Sequence, residues 1–143
     1  MVSQDIEIKA SPKDCYKVIA DFESYPDFLK DLKSVDVKKK KGNSCEVTYH
    51  ISVIKDVQYT LKMSGKPDKR LEWSFVEGDY MKDNNGYWEL EEVKKGVTRA
   101  TYNIDVKFGL LVPSMVTKKL VGNHLPQMLK AFKARIESTV KSK

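Results

Sequence analysis

Hydrophobic positions change their period along the chain, and each change predicts a different kind of element. "VSQDIEIK", residues 2–9, alternates apolar and polar positions with Ile6 and Ile8 on one face, as a strand does. "SPKDCYKVIADF" shifts to helical spacing, with Cys15, Val18, Ile19 and Phe22 in one stripe. Ser11 is placed to cap this helix, Pro12 takes the first helical position, and Asp14 puts an acid in the first turn. Tyr25-Pro26 interrupts the pattern, because a residue before proline is pushed out of helical geometry, and a second short helix is expected from Pro26.

From residue 34 the period becomes 2. Val35 and Val37 lead into "KKKKGN", a hairpin turn whose Gly42 and Asn43 tolerate positive φ. Cys45, Val47, Tyr49, Ile51 and Val53 then face one way, with Thr48, His50 and Ser52 opposite. The next strand sets Val57, Tyr59, Leu61 and Met63 against Gln58, Thr60 and Lys62, and "GKPDK" follows as a turn. Leu71, Trp73 and Phe75 alternate with Glu72 and Ser74; "KDNNG" is expected to turn the chain again; Trp88 and Leu90 alternate with Glu89 and Glu91. After "KKG", the last strand places Ala100, Tyr102, Ile104, Val106 and Phe108 opposite Arg99, Thr101, Asn103, Asp105 and Lys107. Short turns between alternating strands predict an antiparallel meander with one wet face.

The chain returns to helical period in "VTKKLVGNHLPQML", residues 116–129, where Val116, Leu120, Leu125 and Leu129 share a face. Gly122 and Pro126 interrupt that run. Pro126 removes the donor to the carbonyl of residue 122 and crowds it, so the pair reads as one kink that lets a long helix follow a curved sheet. An equal reading starts the helix late, near Pro126. This helix is the one long element available to cover the aromatic-rich sheet face. One helix covers only about 10 Å of width, so a strongly twisted sheet around it leaves room for a cavity.

Length and composition narrow the setting. The chain's 143 residues suit one domain spanning 1–143, able to bury a core without disulfides or metal. No apolar run is long enough to cross a bilayer and the N-terminus has no signal-peptide pattern, so a cytoplasmic location is expected. Cys15 and Cys45 form no CxxC pair and read as reduced, packed thiols. From Ser114 onward there are seven basic residues against the single acid Glu137, which accounts for the whole net charge of +6. Such a face is either simply solvated or turned toward anionic lipid or nucleic acid.

Catalytic signatures are sparse. There is no GxSxG elbow, no HExxH or Cys/His cluster for metal, and no phosphate loop of the GxxxxGK type. His50 and His124 are the only imidazoles; His50 falls on the wet face and His124 lies beside Gly122. No catalytic residue, metal site or cofactor is therefore assigned.

Three stretches, "IKASPKDCYKVIADFESYPDFL" at 8–29, "GYWELEEVKKGVTRATYNIDV" at 86–106 and "LPQMLKAFKARIE" at 125–137, give the chain a resemblance to the START-like superfamily, also called SRPBCC or Bet v 1-like. Within it the chain is most similar to the polyketide cyclase/dehydrase and coenzyme Q-binding protein group, and the likeness spans essentially the whole sequence. The resemblance implies an α+β helix-grip fold: a curved antiparallel sheet of about six to seven strands around a long C-terminal helix, with two short helices after the first strand. It also implies a pocket between sheet and helix for a hydrophobic small molecule. Carried onto this chain, the pocket wall is Tyr49, Ile51, Tyr59, Leu61, Trp73, Phe75, Trp88, Tyr102 and Ile104, with Leu125, Met128, Leu129 and Phe132 from the helix. Such a wall suits a flat or isoprenoid ligand, oriented by a few tyrosine hydroxyls, or else these side chains fill the core.

The inward positions carry almost no Arg, Asn, Gln or Ser, so binding or carrying a lipid, quinone or polyketide-like molecule fits better than the group's cyclase chemistry, the alternative. Contact with RNA or the ribosome, through the basic helix and Lys38 to Lys41, stands third, since the pattern shows no exposed stacking platform. "FGLLVPSM" at 108–115, with Lys118 and Lys119 nearby, gives an arrangement suited to peripheral contact with an anionic membrane.

Overall fold

Alternation builds the sheet and the capped helical stripes close it. The computed structural model describes residues 2–52, 56–109 and 125–141. In chain order these form β1 (Val2–Ile8), α1 (Pro12–Ile19), a 3₁₀ segment (Phe22–Asp27), β2 (Leu32–Lys41), β3 (Ser44–Ser52), β4 (Asp56–Lys66), β5 (Arg70–Gly78), β6 (Met81–Lys94), β7 (Val97–Phe108) and α2 (Leu125–Lys141). All neighbouring strands are antiparallel in the order β1-β7-β6-β5-β4-β3-β2, one seven-stranded sheet. This is the START helix-grip fold, as the resemblance implied.

The helix signals act as expected at α1: Ser11 Oγ accepts from the Asp14 amide at 3.2 Å, Pro12 starts the helix, and Cys15 and Ile19 are buried. The second short helix differs from expectation. It begins at Phe22, ahead of Pro26, as a 3₁₀ segment with Pro26 inside it. Phe22 accordingly leaves the α1 stripe and is buried from this segment together with Tyr25.

The expected turn at "KDNNG" is not there. Residues 82–86 lie within β6, paired to β7 through Asn84↔Val106, Asn85↔Asp105 and Gly86↔Ile104. The reversal comes earlier, at Asp79 and Tyr80, where Tyr80 takes φ 60 and its carbonyl accepts from the Gly109 amide. Asp79 is anchored twice to Gln58, by its own amide and by its carboxylate. Long-range pairing thus outweighs the turn preference of the Asn-Asn-Gly triplet. Gly86 serves close approach: a Cβ there would lie 2.3 Å from the Asn103 carbonyl oxygen and 2.6 Å from the Trp73 ring.

Strands β5 and β6 pair only from Arg70↔Glu89 to Trp73↔Gly86, and the remainder of each follows its outer neighbour. Trp73 Nε1 spans the parting strands to donate to Asn84 Oδ1 at 3.1 Å. Helix α2 closes the other side. Its Lys133 Nζ donates to the Glu7 carbonyl at 2.7 Å, and its Glu137 carboxylate accepts from the Lys9 amide at 2.9 Å, tying the helix to the end of β1. Thr98 Oγ1, fully buried, holds the chain entering α1 by donating to the Ala10 carbonyl at 2.7 Å. Gly122, His124 and the proposed membrane stretch from residue 110 fall outside the described residues, and with them the expected kink.

Candidate functional site

The period-2 pattern sends one side chain in two toward α2, and all the wall residues expected from the resemblance enter a single apolar cluster there. Its centre is Phe132, 2 % exposed, whose ring meets Tyr25 and Phe28 at 5.1 Å and Trp88 at 5.2 Å, all edge-on. Trp88 continues to Tyr102 at 4.9 Å, and Tyr102 to Trp73 at 5.3 Å. On the other flank Tyr49 stacks on its cross-strand partner Tyr59 at 5.2 Å. A continuous aromatic lining therefore runs from the 3₁₀ segment across α2 to β7 and β5.

Burial along this lining is graded. Leu61, Trp88, Leu125, Leu129, Phe132 and Tyr49 are buried, as are Trp73 and Tyr102. Ile51, Tyr59, Phe75, Ile104 and Met128 pack against the cluster but are only half-buried. Four of these sit toward one end of the strands: Ile51 near the end of β3, Tyr59 near the start of β4, Phe75 beyond the point where β5 leaves β6, and Ile104 opposite Gly86 at the last paired rung. Half-exposed apolar surface thus gathers at this end of the grip, while Phe132 and Trp88 at its centre are closed off from water.

The polar groups inside are few. Tyr25 donates to the Ile19 carbonyl and Tyr49 to Met63 Sδ at 3.7 Å. Asn84, buried from β6, accepts from Trp73 and donates to Met81 Sδ at 3.7 Å. Tyr59 and Tyr102 donate to none of the described residues. Desolvation pushes the hydroxyls of Tyr25, Tyr49, Tyr59 and Tyr102 above the usual phenol range, and Tyr102 is raised further by Tyr59, so all four stay protonated at neutral pH. No charged side chain is buried among the described residues. His50 lies on the outer face between Ser34 and Gln58, away from the lining. No group of three or more His, Cys, Asp or Glu able to hold a metal ion occurs among the described residues.

Sequence reasoning missed Tyr25, Phe28 and Asn84. Tyr25 and Phe28 were hidden because a 3₁₀ turn has no distinctive hydrophobic period, although the "SYPDF" aromatics flanking Pro26 were a usable sign. Asn84 was lost with the misplaced turn. An open depression of about 550 Å³ also lies on the outer face, bordered by Lys62, Ser64, Asn85, Tyr87 and Asn103, with Trp73 of the apolar cluster at its margin.

Residues 8–133 match the family described as "Polyketide cyclase / dehydrase and lipid transport". No curated protein matches the sequence. Among solved structures, a START superfamily protein from Mycobacterium smegmatis is similar at TM-score 0.85 and 20% identity, with 96% of this chain and 97% of that one covered. The Zhui aromatase/cyclase from a Streptomyces species gives TM-score 0.87 and 17% identity over 97% of this chain and 94% of that one. A STAR-related lipid transfer protein fragment from Xanthomonas axonopodis gives 0.78 and 17% over 94% and 84%. At these identities the structural likenesses establish the START-like fold, and the sequence match across residues 8–133 establishes the family: the chain belongs to the polyketide cyclase/dehydrase and lipid transport family.

Proposed function

We propose that this protein binds or carries a hydrophobic small molecule, a lipid, quinone or polyketide-like compound, between the sheet and α2. The observation that carries the reading is the graded aromatic lining: sealed around Phe132 and Trp88, half-exposed at Ile51, Tyr59, Phe75, Ile104 and Met128. Flat or isoprenoid surface entering at the half-exposed end would be removed from water at about 25 cal/mol per Å². The family description, which includes lipid transport, and a neighbour named as a lipid transfer protein support the same reading.

The alternative is cyclase or dehydrase chemistry, supported by the family description and by the aromatase/cyclase neighbour. Proton abstraction from a polyketide needs a base at the reacting carbon. Among the described residues the inward side chains supply neutral tyrosines and no carboxylate or imidazole, which favours a carrier.

Both tryptophans of the chain, Trp73 and Trp88, belong to the lining, so their fluorescence reports on the space directly. Titration with a panel of quinones, phospholipids and aromatic polyketide-like compounds should give a saturable change for one class. Ile104→Tyr, which fills the half-exposed end, should weaken it. A flat response across the panel would contradict the carrier reading, and turnover of a polyketide substrate would establish the alternative.

A further inference from the structure

Four tyrosines converge on the lining, and their hydroxyls divide into two pairs. Those of Tyr25 and Tyr49 are spent on the Ile19 carbonyl and on Met63 Sδ. Those of Tyr59 and Tyr102 have no acceptor among the described residues, yet among the same residues no sealed side-chain polar atom lacks a partner. Both hydroxyls therefore border accessible space, and both rings face the grip: Tyr59 is stacked on Tyr49, and Tyr102 is wedged between Trp73 and Trp88. Both rings belong to the one apolar cluster under α2.

We infer that Tyr59 and Tyr102 form a two-donor handle that selects an uncharged ligand bearing a carbonyl oxygen, such as a ketone, quinone or ester. The inference rests on the carrier reading and narrows its ligand. A protonated phenol is a good donor, and a carbonyl oxygen has two lone pairs to receive the pair, or two carbonyls receive one each. A carboxylate is disfavoured, because the described residues of the lining offer no cation to offset the cost of taking its charge out of water. The other buried polar groups are committed or turned elsewhere. Asn84 is held by Trp73 and Met81, Thr60 pairs with Thr48 at 2.7 Å, Thr98 holds Ala10, and Asn103 opens on the outer depression.

The test uses three probes on one ring system: acetylnaphthalene, its hydrocarbon counterpart isopropylnaphthalene, and naphthoate. Affinities are read by tryptophan fluorescence for the native protein, Tyr59→Phe, Tyr102→Phe and the double variant. Each substitution keeps its ring, so unchanged hydrocarbon binding certifies an intact site. The native protein should prefer the ketone, and each substitution should weaken ketone binding roughly 2- to 10-fold, the range for one hydrogen bond. The double variant should bind ketone and hydrocarbon alike, and naphthoate should bind worst throughout. A ketone preference that survives the double variant, or equal native affinity for ketone and hydrocarbon, overturns the handle while leaving the carrier reading standing. Failure of all three probes on the native protein overturns both.

Discussion

Replacing Phe132 and Phe75 by alanine, one at a time, separates a packed interior from an open one. Phe132 is 2 % exposed and touches three aromatic rings at 5.1 to 5.2 Å, so its loss leaves a void that neighbours on α2, the 3₁₀ segment and β6 cannot all close. Phe132→Ala should cost about 3–5 kcal/mol, the range for a large aromatic removed from a tight core. Phe75 is the same side chain at the half-exposed end, where one side meets accessible space. It has less transfer energy to lose and no enclosed cavity to leave, so Phe75→Ala should cost only about 1–2 kcal/mol. Urea unfolding, followed by circular dichroism and compared at equal slope, measures both. Equal losses for the two variants would mean the β5–β6 end is as filled as the centre, and the argument for a ligand space would fail.

Other expectations follow from single contacts. Burial pushes the Cys15 thiol up from 9.0 to about 11, with Thr98 partly opposing the shift. A folded value above the unfolded one gives stability that is full below pH 9 and lost as pH rises through about 11, a loss of roughly 2–3 kcal/mol. Cys15→Ala should flatten the fall of urea midpoint across that interval, and an unchanged slope would exclude Cys15 as its source. Trp73→Phe leaves the buried Asn84 oxygen without its donor and should cost about 1–3 kcal/mol; a neutral result in chemical denaturation would show that the bond across the parted strands contributes nothing. Gly86→Ala forces a methyl against the Asn103 carbonyl and the Trp73 ring, and a thermal midpoint matching that of the native protein would contradict the close packing of β6 on β7 there.

Much of this architecture is visible in hydrophobic period because the sheet has one wet face. A strand with one buried face must alternate, so Tyr49, Leu61, Trp88 and Tyr102 declare their direction in the sequence. The capping residues Ser11 and Pro12 are equally plain, since their effect is local. The reversal between β5 and β6 was not legible: "KDNNG" has every local mark of a turn, yet β7 provides a continuous partner for it, while Tyr80 adopts the positive φ that composition would assign to asparagine or glycine. The same misplacement concealed Asn84 and the parting of β5 from β6. The aromatic hub shows a similar limit. Phe132 reads as an apolar helix position, but its contact with Tyr25 and Phe28 brings together residues more than a hundred positions apart. Which tyrosine hydroxyls are spent and which are free depends on such meetings, and no pattern of single positions encodes it.

The most direct measurement is native mass spectrometry of the protein gently purified from its own host, followed by organic extraction and identification of whatever is released. The expected result is a lipophile at close to one molecule per chain, uncharged and bearing a carbonyl oxygen. A protein that comes through bare, and that also fails to bind any member of a quinone and lipid panel, would contradict the claim that the grip holds a hydrophobic ligand.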